Sequence, residues 1–319
     1  MKPFKLTPAF KDYLWGGTRL RDEYGKKCDL TPVAESWELS CHKDGPSVAA
    51  DGKYAGLPLR EIVEKEPALL GKNCEKFADF PILVKFIDAK DNLSVQVHPT
   101  DDYARRVEGE FGKTEIWYVM DAEPGATLIY GFNRELDEAE FRQRLADSTL
   151  DEVLNFVPVK KGDTFFIPAG TLHGIGRGIL IAEIQQNSNS TYRVYDYGRI
   201  GADGKPRPLH IDKAVDVTER CLPKRPVGPQ GATVEHDTYT EALLAQCEYF
   251  TVHEIALKDS FDGCAGEDSF KHILNLTDEV TLCCDGEEMA LKPGDSVFVP
   301  AGTGRFTVKG KGKFLVTNV

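Results

Sequence analysis

Three separated segments carry side chains that could share one chemistry. They are Gln96-Val97-His98, Glu115 at the head of Glu115-Ile116-Trp117-Tyr118-Val119, and His173 just after Pro168-Ala169-Gly170-Thr171. Gln96 and His98 lie two residues apart in a strand-like stretch, and a period of two puts both on one face. On adjacent antiparallel strands, inward positions of this kind can converge. The result would be two imidazoles, one carboxylate and one carboxamide oxygen. That borderline donor set suits Zn²⁺, with water completing the shell, and Fe²⁺ or Mn²⁺ would fit it too. No fixed metal-binding spacing links the segments, and ordinary strand or turn histidines beside a solvated glutamate satisfy the same pattern.

Further polar groups follow. Glu183 interrupts the apolar run Ile181-Ala182-Glu183-Ile184-Gln185, as either a surface group or a pocket acid or base. Arg193 and Arg199 alternate with Tyr192, Tyr195 and Tyr197, and a guanidinium is suited to bidentate phosphate binding. Lys85 and Lys113 have apolar or small neighbours, as pocket cations do and as snorkelled surface stems also do. Familiar nucleotide motifs fail. Gly112-Lys113-Thr114 lacks the upstream glycine of a phosphate loop, because Val107 stands there, and residues 174–178 lack the spacing of a dinucleotide site.

The elements that must position these groups are mostly strands. Phe80–Asp88, Leu93–Val97, Glu115–Met120, Thr127–Tyr130, Asp163–Ile167 and Ile179–Ile184 are expected strands, and Ser36–Ser40 is a short one. Helices are expected at Pro58–Glu66 and Leu136–Leu145, the latter with Asn133 as its cap. Residues 221–232 hold three prolines and two glycines and read as a linker. Strands resume at Tyr249–Leu257, Phe270–Leu276, Glu279–Cys284, Ser296–Val299 and Phe314–Val319.

An internal echo crosses that linker. Lys160 to Thr171 matches Lys292 to Thr303 at a constant offset of 132, with Gly-Asp, four residues, then Pro-Ala-Gly-Thr in both. Two copies of a turn–strand–turn unit argue for two related β-domains. The first copy continues to His173 and the second to Arg305. Arginine stays protonated and is a poor ligand, so metal chemistry is expected in the first domain alone. The expected fold is mostly β, with two β-barrel or jelly-roll domains and a few short helices. The expected division is 1–225, catalytic, and 226–319, degenerate and non-catalytic.

Composition narrows the function class. The 319 residues include 39 Lys+Arg and 51 Asp+Glu, a net charge of −12. Such a chain is a poor candidate for nucleic-acid or membrane-surface binding, although a cleft can still take a small anion. The eight cysteines form no metal-binding or disulfide pattern. No secretory signal or membrane span is evident in the sequence. A cytoplasmic protein acting on a small molecule, monomeric or weakly self-associating, is expected.

Taken in order, these segments resemble the type I mannose-6-phosphate isomerases, which are zinc-dependent cupin enzymes. The likeness runs through Trp15-Gly16-Gly17, Glu35-Ser36-Trp37-Glu38, Ser94 to Pro99, Lys113-Thr114-Glu115, Pro168 to His173, and Gln185 to Arg199. The resemblance implies one zinc per chain, held by Gln96, His98, Glu115 and His173. It implies Arg193 as the active-site arginine, Glu183 beside it, and Lys85 and Lys113 as basic groups near substrate and phosphate. It implies reversible isomerisation of D-mannose 6-phosphate and D-fructose 6-phosphate through a cis-enediol, with Glu183 or zinc-bound water as base. Longer family members carry a large helical insertion. The interval from Glu115 to His173 has room for one short helical excursion, as in the compact bacterial form. An iron-dependent cupin oxygenase and a sugar-binding protein without activity are the alternatives.

Overall fold

The computed structural model describes residues 1–201 and 204–319. Its strands form four sheets in layers. A six-stranded sheet runs in the order Thr164–Ile167, Glu115–Ala122, Ile179–Gln186, Ile82–Ala89, Glu35–Leu39, Ala9–Lys11. One face looks onto a five-stranded sheet, ordered Tyr192–Tyr195, Val95–Val97, His173–Ile175, Thr127–Phe132, Leu154–Pro158. The other face looks onto an eight-stranded sheet built mainly from the second half of the chain, and a four-stranded sheet covers the far side of that one.

Period-2 alternation explains the layering. Ile82, Val84, Phe86, Ile116, Tyr118, Met120, Leu180, Ala182 and Ile184 enter the core shared with the eight-stranded sheet. Residues of the other parity, including Ile87, Trp117, Val119, Ile179 and Ile181, pack against the five-stranded sheet. A strand covered on both faces needs apolar residues at every position, and Phe80–Asp88 reads as a near-continuous apolar run for that reason. The outer face of the five-stranded sheet presents Val95 and Val97 to two helices, Glu138–Ala146 and Ile211–Val217, through Phe141, Ala214 and Val215.

The mostly-β composition and the two sheet-rich halves match expectation; the barrels do not. Among the described residues no sheet closes on itself, so the barrel or jelly-roll architecture is corrected to four open, stacked sheets. Alternation specifies an inner and an outer face, and two facing open sheets satisfy it as well as a closed one. Closure would need hydrogen bonds between terminal strands, which local sequence does not encode. The open edge at Thr164–Ile167 is met by other groups instead. Gly228 N–H donates to Thr164 O at 2.8 Å, and the Tyr130 hydroxyl donates to Phe166 O at 2.8 Å.

Smaller departures concern ends. The 136–145 expectation becomes Glu138–Ala146, capped by Asp137, whose carboxylate accepts from Glu140 N at 2.7 Å. Asn133 bonds the carbonyls of Glu152 and Leu154 rather than capping. Helices Asp101–Val107 and Ile211–Val217 were not expected. The strand Phe4–Thr7 pairs with Ser296–Val299, so the chain's beginning completes the second half's large sheet. No helix among the described residues is long and apolar enough to cross a membrane.

Candidate active site

Strand parity gathers the site. Lys85, Glu115 and Glu183 share the face that looks onto the five-stranded sheet, and register sets Glu183 opposite Lys85 on one side and Trp117 on the other. Gln185 lies opposite Glu115. From the facing sheet, His173 lies opposite Gln96, and Gln96 lies opposite Arg193. The strand ends at Val97, so His98 follows it in the loop.

His98, Glu115 and His173 converge, with ligand atoms all within 4.8 Å of one another. The two Nε2 atoms are 3.1 Å apart, and they lie 3.6 Å and 3.4 Å from Glu115 oxygens. Each Nδ1 faces a backbone carbonyl, Ser190 O at 2.9 Å and Thr171 O at 2.8 Å. A carbonyl only accepts, so each Nδ1 carries the proton and each Nε2 presents a lone pair. Two lone pairs that close repel unless a cation or proton lies between them. Burial, then the Lys113 charge, pushes His98 well down and His173 down to about 3, so both rings are neutral, as ligands must be. Glu115 Oε1 is buried without a hydrogen-bond partner. Facing lone pairs and an orphaned carboxylate oxygen are a donor set that fits Zn²⁺, with each ring held by the outer hydrogen bond such ligands commonly make.

The loops bearing these groups are tied together. Gly170 N–H donates to His98 O at 2.8 Å. Gln186 accepts from Thr114 N at 2.8 Å and donates to Asp101 Oδ1 at 2.8 Å, which also accepts from Gly112 N at 2.7 Å. A Cβ on Gly112 would lie 2.5 Å from Asp101 N, so only glycine allows this approach. The clamp fixes Lys113, whose ammonium bonds Glu115 and sits 2.9 Å from His98 Nε2.

Above the triad lies a polar cleft of about 260 Å³, lined by Lys85, Gln96, Lys113, Glu183 and Arg193 among others. Lys85 is 3.2 Å from Glu183 and 3.6 Å from Glu35, while Lys113 is 3.6 Å from Glu183. Trp117 Nε1–H donates to Glu183 Oε2 at 2.8 Å. Burial alone would raise the Glu183 pKa. The ammonium groups of Lys113 and Lys85 outweigh burial and hold Glu183 down at about 2. Burial and the Glu183 charge push Glu115 up to about 7. Glu35, Glu115 and Glu183 against Lys85 and Lys113 leave one negative charge, and a bound dication would reverse that sign.

Sequence reasoning placed Arg193 and Arg199 together. Arg193 lines the cleft, with Nε 3.3 Å from Ser94 Oγ and Nη1 donating to Pro208 O at 3.1 Å. Arg199 lines a larger neighbouring cavity of about 750 Å³. Trp117, Glu35, Tyr13 and Arg207 were not anticipated in the site. Trp117 shares the parity of Glu115, which would have revealed it. Arg207 lies in the loop that follows the strand of Arg193 and carries no local signal.

The model for phosphomannose isomerase type I, catalytic domain, matches residues 3–124, and the model for mannose-6-phosphate isomerase, cupin domain, matches residues 240–319. The mannose-6-phosphate isomerase ManA of Bacillus subtilis is 38% identical over 322 residues, spanning 100% of this chain and 99% of that protein. The chain belongs to the type I mannose-6-phosphate isomerases. A Streptococcus mutans mannose-6-phosphate isomerase is 38% identical across 94% of this chain and 92% of its own length. The crystal structure of the mannose 6-phosphate isomerase from Bacillus subtilis shares 35% identity and a TM-score of 0.93 over 100% of both chains. A zinc-bound mannose 6-phosphate isomerase, 18% identical with a TM-score of 0.79 over 99% of both chains, shares the fold. In this type I mannose-6-phosphate isomerase 57 residues separate Glu115 from His173. One helix, Glu138–Ala146, and a single 3-10 turn, Leu150–Val153, are the only helices there.

Proposed function

We propose that the chain interconverts D-mannose 6-phosphate and D-fructose 6-phosphate, with one zinc per chain. The observation that carries this is the pair of imidazole lone pairs facing each other across an orphaned Glu115 oxygen, beneath a cleft lined with cations. His98, Glu115 and His173 hold the metal, and Gln96, directly opposite His173 in the ladder, supplies the fourth protein donor. When bound there, zinc supplies Lewis acidity toward the sugar's oxygens and so acidifies the proton at C2.

The chain's own groups do the rest. Glu183 Oε2 is fixed by Trp117, which leaves Oε1 to take the C2 proton of the open-chain aldose and return it at C1, while the O2 hydroxyl proton passes to O1. Held ionised, Glu183 is always in its proton-free form, and its low proton affinity favours handing the proton back. Lys85 and Lys113 keep Glu183 charged and offset the negative charge that develops on the substrate. Arg193, half-buried and cationic, closes the cleft from the facing sheet. Residues 1–225 are read as the catalytic unit and 226–319 as a non-catalytic one, working in the cytoplasm as a monomer or weak homo-oligomer.

The test is turnover of mannose 6-phosphate beside glucose 6-phosphate and unphosphorylated mannose, under argon, before and after chelation and zinc restoration. Activity that requires zinc and the phosphate, and survives without oxygen, supports the reading. Equal kcat/KM for both mannoses overturns it.

A further inference from the structure

Among the described residues the cleft mouth holds an excess of positive charge. Arg193, Arg199 and Arg207 gather around a single carboxylate, Asp196, which is 5% exposed. Arg207 grips it with Nε at 2.7 Å and with Nη2, while Arg199 grips it with Nη2 at 2.5 Å. Among the described residues Arg193 has no ion-pair partner, and its donors go to a serine hydroxyl and a backbone carbonyl. Among the described residues, three guanidinium groups against one carboxylate leave this cluster two positive charges in excess. They sit in a half-buried place on a chain whose net charge is −12. Burial and then the Arg207 charge lower the proton affinity of Arg193, so the groups act on one another. An excess of this kind is costly unless a ligand supplies the missing negative charge.

Position narrows the ligand. Arg193 and Arg207 line the cleft, whereas Arg199 lines the cavity behind it, so Arg207 forms part of the wall between the two. Arg207 commits Nε and Nη2 to Asp196, and among the described residues Nη1 has no hydrogen-bond acceptor. Arg193, Gln96 and His173 follow one another across three neighbouring strands. Two strand intervals place the backbone of Arg193 about 10 Å from that of His173. That separation is comparable with the length of an open six-carbon chain bearing a group at its far end. A sugar with its carbonyl end at the metal would therefore bring its C6 substituent to the arginines.

We propose that Arg207, together with Arg193, binds the dianionic phosphate of the substrate, and that Asp196 is a positioning residue that aims the Arg207 guanidinium into the cleft. This rests on the phosphosugar isomerase reading above. A guanidinium held on one edge by a buried carboxylate keeps its orientation, so little freedom is lost when phosphate arrives.

The experiment compares wild type, Arg207→Ala and Arg207→Lys, each checked for one zinc per chain. Two quantities are read: the ratio of kcat/KM for mannose 6-phosphate to that for mannose, and the inhibition constant of inorganic phosphate. Arg207→Ala is expected to lower the ratio by about 10- to 100-fold and to weaken phosphate inhibition by a similar factor, the scale of a lost charge-assisted hydrogen bond. Arg207→Lys, which keeps the charge but loses the planar fork, should recover part of both. A loss that falls equally on the two sugars, or an unchanged phosphate inhibition constant, overturns the proposal. A wild type that does not prefer the phosphorylated sugar overturns the isomerase reading as well. A phosphate-selective wild type with an unaltered Arg207→Ala overturns this proposal alone.

Discussion

The two halves of the chain share a plan and differ in what it encloses. In the first half Thr164–Ile167, Glu115–Ala122, Ile179–Gln186 and Ile82–Ala89 are consecutive in one sheet. In the second, Ser296–Val299, Lys271–Asn275, Gly312–Asn318 and Thr251–Leu257 follow the same order. The turns agree in detail. Gly162 and Gly294 have φ of 90° and 89°, and Asp163 and Asp295 accept from the backbone of Lys160 and Lys292 at 2.9 and 3.0 Å. Register then identifies the counterparts. Ile167 faces Glu115, and Val299, its equivalent 132 residues on, faces Lys271. Following the ladders, Trp117 corresponds to Ile273, Glu183 to Val316 and Lys85 to His253. The second half has an ammonium at the counterpart of Glu115 and a valine at the counterpart of Glu183.

The histidine's place is lost in another way. His173 points between the sheets, as does Ile175. Arg305, aligned with His173 in sequence, is exposed, and its neighbours Phe306 and Val308 enter the core instead. Gly304, at φ 80°, follows the Pro-Ala-Gly-Thr turn where the first half has Leu172. A one-residue change of phase moves every side chain of a strand to the opposite face. The lesson is that a repeat conserved as a turn can still lose a site by slipping the strand that leaves it.

The largest effect that could break this contrast lies at the ligands. His98→Ala and His173→Ala should each lose zinc and at least about 10³-fold in kcat, the upper range for removing one preorganised electrostatic contributor. Gln96→Ala should be milder, since a neutral amide is a weak donor and water can replace it. Metal analysis beside kinetics decides. Greater zinc loss from Gln96→Ala than from either histidine variant would invert the ranking of donors.

Next is Glu183→Gln, which nearly preserves shape but cannot accept a proton. Zinc should remain, and kcat should fall by about 10²–10⁴, the usual worth of a positioned base. Full activity with zinc in place would assign the proton transfer to another group. Loss of zinc would place Glu183 among the groups that hold the metal.

How far these sites were legible follows from the same physics. Parity is local, so the strands that carry Gln96 and Glu115 were readable, although His98 lies just past the end of its strand. The turn that precedes His173 is local too. Strand neighbours are not, and the embrace of Glu183 by Lys85, Lys113 and Trp117 depends on them. The apolar run made the burial of Glu183 visible, but not the lysines that set the sign of its shift. Helix Asp101–Val107 was missed because Asp-Asp-Tyr-Ala-Arg-Arg-Val buries only Ala104 and shows no apolar stripe. Arg207 lies in a Pro-rich stretch with no periodicity, and only the fold brings it beside Arg193.

A smaller effect separates the uses the halves make of buried histidines. His272 of the second half is fully buried and faces no metal ligand. Ser296 Oγ donates to Glu38 O at 2.9 Å, so it accepts from His272 Nε2 at 2.8 Å, and Nδ1 is left without a partner. Burial, then the Lys26 charge, pushes His272 down to about 3. Its unfolded value is near 6.5. Between those values the unfolded chain binds a proton that the folded chain does not, so stability rises with pH and is lost as pH falls from about 6.5 toward 3. The slope from this one group is at most about 1.4 kcal/mol per pH unit. Denaturant titrations at pH 7 and pH 5 should show a shallower acid loss in His272→Gln than in wild type. Equal losses would mean that another group carries the acid sensitivity.

The smallest expected effect tests the slip itself. Arg305 sits on the outer face of the four-stranded sheet, opposite Cys264 in the ladder, and borders a surface groove rather than the space between the sheets. Among the described residues its guanidinium makes no ion pair or side-chain hydrogen bond. Removing it should therefore disturb neither packing nor charge at the metal. Arg305→Ala should retain one zinc per chain, keep kcat/KM within about twofold, and change stability by no more than about 0.5 kcal/mol, the ordinary range for an exposed position. Elemental analysis, kinetics and a denaturation curve on one preparation suffice. A drop in kcat of about 10² or more with zinc retained, the scale of a lost catalytic group, would show that the second half reaches the active site after all. The phase change at Gly304 would then have redirected this side chain to a task instead of retiring it.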